Sequence, residues 1–200
     1  MTEQARKNSK NKAIVIGLFL LFFLPILISW FLVFFTDYTP GGGGTQHGIL
    51  INPLRQLQDL ELMDPIVNRT SSLHGYWNMV SVIDGDCDDT CINDLYRMRQ
   101  IRLATGNEAD RVQRVVYFSD ALTASRAGEL FNGFSGQLLL PAENITADQL
   151  ALFNVDGIDR QHSIYLIDPA GYIMMNYPAG TEPSGIIKDM KRLLRISKLD

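Results

Sequence analysis

The sequence predicts an α/β domain with a mixed central sheet, preceded by a single N-terminal transmembrane helix. Three observations predict this: an uncharged apolar run near the N-terminus, a glycine-rich break after it, and alternating strand and helix patterns through the remainder. The 200 residues include 46% hydrophobic side chains, 18 Lys plus Arg, 22 Asp plus Glu and two Cys. Such apolar content excludes a disordered chain, which cannot bury enough apolar surface to offset its ordering entropy. A net charge of −4 excludes the usual nucleic-acid binder, whose phosphate contacts need a clustered cationic excess.

Residues 13–35 (AIVIGLFLLFFLPILISWFLVFF) run without a charge. At ~1.5 Å per residue a helix of this length spans ~34 Å, enough to cross a ~30 Å hydrocarbon core with some tilt. Pro25 removes one helical hydrogen bond, a defect that membrane helices tolerate. The segment is too long for the apolar stretch of a cleaved signal. It also ends in Trp30, Phe31, Phe34 and Phe35 rather than in the small residues a signal peptidase needs. Arg6, Lys7, Lys10 and Lys12 precede it, whereas Asp37 is the one charge just after it. The basic tail, residues 1–12, is therefore expected in the cytoplasm and the C-terminal part outside it. In a Gram-negative bacterium this means an inner-membrane anchor and a periplasmic domain. Residues 36–45, with four consecutive glycines, read as a flexible linker. Everything beyond the apolar run holds 14 basic against 21 acidic residues, so the exported portion is acidic.

Within residues 46–200, a stretch large enough for one core of ordinary size, residues 47–52 (HGILIN) read as a leading strand. Residues 77–83 (WNMVSVI) read as a central strand, bounded by Gly75 and by Asp84-Gly85. Residues 90–104 place Cys91, Leu95 and Met98 at helical spacing, with Gly106 as the stop. A second strand follows at 112–119 and a second helix at 122–131. Residues 146–153 read as a third helix, capped by Thr146 or Asn144. A strand is expected at 162–168 (HSIYLID), a turn at 169–171, and an antiparallel partner at 172–177 (YIMMNY). Residues 184–197 close the chain as an amphipathic helix with Ile187, Met190 and Leu194 on one face. Apart from the leading strand and third helix, the order is β, α, β, α, β, β, α, which is that of a thioredoxin-like fold.

Cys87 and Cys91 are the only cysteines, and they stand four apart where the central strand hands over to the first helix. Side chains at i and i+4 of a helix point the same way, so both sulfurs can face one ligand or each other. An oxidising compartment permits a merely structural disulfide, but so short a loop restrains little chain entropy. Redox or metal chemistry is the alternative. Asp84, Asp86, Asp88 and Asp89 crowd the pair. Like charges disfavour a thiolate, whereas a bound cation deprotonates its thiols outright. Two thiolates suit Cu(I) and accept Zn. Each aspartate read singly could equally solvate the loop or cap the helix. His47 and His74 lack such a context and read as surface residues. Of Met174 and Met175, one is expected to face the core and the other to face outward.

Trp77 leading a strand, the CxxxC loop, a helix, and a His just before Tyr165-Leu-Ile-Asp-Pro-Ala-Gly171 together resemble the Sco/SenC family over roughly residues 75–194. The resemblance implies a membrane-anchored, thioredoxin-fold copper protein that assists assembly of cytochrome c oxidase, with the subunit carrying the binuclear copper centre as partner. It maps the copper ligands to Cys87, Cys91 and His162, one ion per chain. His162 also occupies the position where thioredoxin-like proteins often carry a cis-proline facing the cysteine loop. A neutral imidazole there completes an S₂N donor set that copper accepts in either oxidation state. The chain departs from the family in having Asp88 and Ile92 where a proline usually follows each cysteine, and Asp120 alone where a longer acidic motif is usual.

Two further functions remain open. A thiol-disulfide reductase would use Cys87 as attacking and Cys91 as resolving thiol, keep oxidase cysteines reduced, and draw electrons from a thioredoxin-like reductant. An assembly scaffold would need neither metal nor redox chemistry.

Overall fold

The computed structural model describes residues 3–35 and 46–197. The chain divides into two compact units, Met1–Gly44 and Thr45–Asp200. In the first unit a single helix, α1 (Glu3–Phe35), contains Pro25. Its segment Ile14–Phe31 is wholly exposed, and the helix is long and apolar enough to cross a membrane. It starts at Glu3 rather than at residue 13, so the basic tail is helical too. The linker expected at 36–45 lies outside the described residues.

In the second unit, β4 (Trp77–Ile83) is buried at all seven positions, because both faces of the sheet are covered. Parallel strands covered on two sides read as continuous apolar runs for this reason. Its neighbours are β5 (Val112–Phe118), which is parallel, and β7 (Ile164–Ile167), which is antiparallel. Outward from β7 come β8 (Tyr172–Tyr177) and β1 (Ile49–Gln56). On the other side β6 (Gln137–Leu139) adds parallel to β5, and the hairpin of β2 (Glu61–Asp64) and β3 (Arg69–Ser72) completes the sheet. The order is β1-β8-β7-β4-β5-β6-β2-β3, a mixed sheet as expected.

Alternation along the strands divides the core. Trp77 and Met79 of β4 and Val112 of β5 pack with Met98 and Ile101 of α2 (Asp89–Ala104) and Ile186, Met190 and Leu194 of α6 (Pro183–Ile196). Met175 is buried in this cluster and Met174 packs against it, so both methionines serve the core. Val80, Val82, Val115 and Ile167 face the opposite layer. There Tyr165 meets Phe153 edge-on at 5.1 Å, and its hydroxyl donates to the Phe153 carbonyl at 2.6 Å. Burial pushes that phenol up to about 12. The helix before Phe153, α5 (Ala147–Ala151), is capped by Thr146 in a capping box with Gln149.

The helix expected at 122–131 is two short pieces, α3 (Ala121–Ser125) and α4 (Ala127–Leu130), which meet at Arg126. The β7–β8 turn is tied by Asp168, whose Oδ1 accepts from the N–H of Ala170 at 3.0 Å and of Tyr172 at 2.8 Å. Gly171 closes that turn at φ +86°, and a Cβ there would stand 2.5 Å from His74 Nε2 and 2.6 Å from the Leu57 carbonyl oxygen. Left-handed backbone and overpacking act together at this position. Gly171→Ala is expected to cost about 2–4 kcal/mol, read as a lowered midpoint in denaturant. His74 is thus wedged against the turn rather than free on the surface.

Candidate redox and metal site

The loop that leaves β4 turns at Gly85, φ +88°, and Asp88 then caps α2. Asp88 Oδ1 accepts from the N–H of Thr90 and of Cys91, each at 3.0 Å. The two cysteines bracket this cap and are joined as a disulfide, with Cα atoms 5.1 Å apart. Cys91 is fully buried among Ile83, Leu95, Phe118 and Phe131, whereas Cys87 is half-buried. An attacking thiol can therefore reach Cys87 and not Cys91. The helix N-terminus favours negative charge on a sulfur beside it.

Three of the four aspartates around the pair, Asp84, Asp86 and Asp88, are already engaged. Arg160 grips Asp84 with Nε at 2.8 Å and Nη2 at 2.9 Å, and the Asp84 hydrogen bond raises the guanidinium above its usual value. Asp86 Oδ1 accepts from the Thr123 hydroxyl at 3.0 Å. Asp120 caps α3: its Oδ2 accepts from the Thr123 N–H at 2.6 Å and lies 2.8 Å from the Thr123 hydroxyl, whose one proton it shares with Asp86, and these contacts hold its carboxyl below the usual range. Asp84, Asp86 and Asp88 thus stitch the cysteine loop to its neighbours. Capping and loop-tying, not cation capture, account for them.

His162 precedes β7 at φ +60°, a conformation that a non-glycine residue adopts only when its surroundings impose it. Those surroundings are specific. Gln161 forms a parallel bridge to Val82, and its Oε1 accepts from the Asp84 N–H at 2.8 Å. The His162 Nδ1 lies 2.6 Å from Oδ2 of Asp94 on α2. The expected strand therefore starts at Ile164, two residues late, because His162 turns back toward α2.

Residues 160–162 are thus fastened to both ends of the cysteine loop, at Asp84 before it and at Asp94 after it. The three expected copper ligands are not gathered as a ligand set. The sulfurs are bonded to each other, the imidazole is held by Asp94, and among the described residues no group of three or more His, Cys, Asp or Glu could hold a metal ion. Two electrons and two protons delivered to the disulfide convert it into two sulfur donors, so the donor chemistry fits copper in the reduced state and not in the oxidised one.

The reading of the sequence missed Asp94. Its signal was an acid one position from Leu95, inside the buried stripe Cys91, Leu95, Met98, where a charge must find a partner.

The family model for the transmembrane-like, thioredoxin-like, C-terminal domain matches residues 77–197. No curated protein matches the chain. Among solved structures, copper-bound ScoI of Bradyrhizobium japonicum is 20% identical, with a TM-score of 0.54 over 69% of this chain and 99% of that one. BsSco, a member of the Sco family of cytochrome c oxidase assembly proteins described for a disulfide switch, is 16% identical, with a TM-score of 0.53 over 74% and 99%. A thiol:disulfide interchange protein from a Bacteroides species is 16% identical, with a TM-score of 0.50 over 73% and 92%. The thioredoxin-like fold expected from the sequence is the fold observed, and the chain is structurally similar to Sco proteins.

Proposed function

The chain belongs to the family of transmembrane-like, thioredoxin-like C-terminal domains, and from that membership we propose that it is a membrane-anchored copper carrier for cytochrome c oxidase assembly. Reduced Cys87 and Cys91, with His162, hold one copper ion as cargo. The observation that carries this reading is the clasp on residues 160–162, which seats an imidazole beside α2 three residues past Cys91 and engages its Nδ1, leaving Nε2 to donate. Copper-bound ScoI on the same fold supports it. Release proceeds by exchange, as thiolates or imidazoles of an oxidase subunit replace these donors one at a time. The basic tail stays in the cytoplasm, α1 crosses the inner membrane, the 36–45 linker follows, and the domain works in the periplasm.

A second reading has its own observation, the closed Cys87–Cys91 disulfide with one accessible and one buried sulfur. In a reductase, the Cys87 thiolate attacks an oxidase disulfide and forms a mixed disulfide. Cys91 then displaces it, releasing a substrate dithiol and leaving this pair oxidised, and an external dithiol restores it.

One experiment separates the two. The reduced full-length protein in detergent and its His162→Ala variant are titrated with Cu(I) against a chromophoric competitor, and both are assayed for reduction of a peptide disulfide. A carrier binds one equivalent and is weakened more than tenfold by the substitution. Equal copper binding by both proteins, with disulfide reduction intact, establishes the reductase instead.

A further inference from the structure

Asp94 is 3% exposed on the buried face of α2. Its two oxygens are assigned to different partners. Oδ1 accepts from Arg97 Nη1 at 3.1 Å, while Oδ2 meets His162 Nδ1 at 2.6 Å. Arg97 is itself fixed, because its Nη2 donates to the Thr181 carbonyl at 2.7 Å. A carboxylate that faces a guanidinium is an acceptor only, so the imidazole must present an N–H to it. The ring cannot swing away, since the backbone beneath it is held by the Arg160 and Gln161 bonds to Asp84. On the other side, the Ser163 hydroxyl donates to the Asp159 carbonyl at 2.6 Å.

We infer that Asp94 is a positioning residue: its Oδ2 accepts from the Nδ1–H of His162 and leaves Nε2 as the one ring nitrogen available to a metal ion. The inference rests on the reading of His162 as a copper ligand. Its physical basis is general: a carboxylate on the far nitrogen of a metal-binding imidazole fixes the tautomer, aims the ring and raises its basicity. The same contact explains why α2 keeps an acid in its apolar stripe. It also explains why His162 is held at φ +60°, because a carboxylate on α2 must be reached from the loop before β7.

The test uses reduced, ¹⁵N-labelled full-length protein in detergent, free of metal. Long-range ¹H–¹⁵N correlation spectra read the protonation of each ring nitrogen, with His162→Gln assigning the signals. The expected spectrum has Nδ1 protonated. Asp94→Ala should move the ring toward the Nε2–H form, whereas Asp94→Asn, which keeps an acceptor oxygen, should preserve the wild-type pattern. In the Cu(I) titration, Asp94→Ala should weaken binding by about 10–100-fold, and Asp94→Asn by less. A wild-type ring whose Nδ1 carries no proton overturns the inference. So does Asp94→Ala protein that matches wild type in copper affinity while His162→Ala protein does not. Copper binding indifferent to His162→Ala removes the ligand reading itself, and the tautomer spectrum still decides what Asp94 does.

Discussion

Cys87→Ser should leave the reduced protein unable to retain Cu(I), with a loss well beyond the ~10–100-fold that removal of an outer-shell partner costs. A serine hydroxyl is a hard, neutral oxygen in place of a soft thiolate, and the remaining sulfur and imidazole make too small a set for a soft ion. Cys87 is the better position for the substitution because it is half-buried and lies before the helix cap, so water can reach the new hydroxyl. The same change at fully buried Cys91 would set a hydroxyl among Leu95, Phe118 and Phe131 and mix a folding defect into the result. The reduced wild-type protein lacks the crosslink as well, so thermal unfolding of the two reduced proteins should coincide within about 1 kcal/mol. Copper retained after gel filtration is the measurement.

Asp189→Ala should give the largest loss of stability. This carboxylate on α6 is 5% exposed and collects the start of the domain. Oδ2 accepts from the N–H of His47 at 2.7 Å, the N–H of Gly48 at 3.2 Å and the Tyr177 hydroxyl at 3.2 Å, while Oδ1 lies 3.1 Å from His47 Nδ1. Burial, and then the nearby Asp189 charge, push the Tyr177 phenol far above its usual value. Alanine leaves several buried donors without an acceptor. The expected cost is about 3–5 kcal/mol, which for a unit of this size lowers Tm by about 10 °C or more. Circular dichroism melts in detergent provide the check, and Asp189→Asn should fall between the two. His47 is exposed, as its local sequence suggests, yet its backbone N–H and Nδ1 are both held by Asp189. Gly185 makes room for it, since a Cβ there would come within 2.7 Å of the ring.

Legibility in the sequence followed from whether a segment's role is local. Strands β4 and β5 and helices α2 and α6 were visible because burial imprints a continuous or periodic apolar pattern on consecutive residues. The β2–β3 hairpin was missed because β3, Arg69-Thr-Ser-Ser72, is polar and four residues long, and β6 has only three. The break at Arg126 was missed because both halves of 122–131 are helical by composition, and the docking of Ala127 and Phe131 beneath Phe118 sets where the axis changes. In the candidate site, the spacing singled out the cysteine pair and the motif singled out His162. The contacts that give the site its form bridge 68 residues in Asp94–His162 and 76 in Asp84–Arg160, separations over which no local pattern carries a signal. For the same reason the aspartates around the cysteines looked like a cation trap, although Asp84 is paired with Arg160 and Asp86 with Thr123, both distant in the chain.

The most direct measurement is X-ray absorption at the copper edge on the reduced full-length protein loaded with one equivalent of Cu(I). Two sulfurs and one nitrogen in the first shell are predicted, with the nitrogen lost in His162→Ala and a sulfur lost in Cys87→Ser. A first shell unchanged by His162→Ala, or no copper held at all by protein whose cysteines are verified as reduced, would contradict the account.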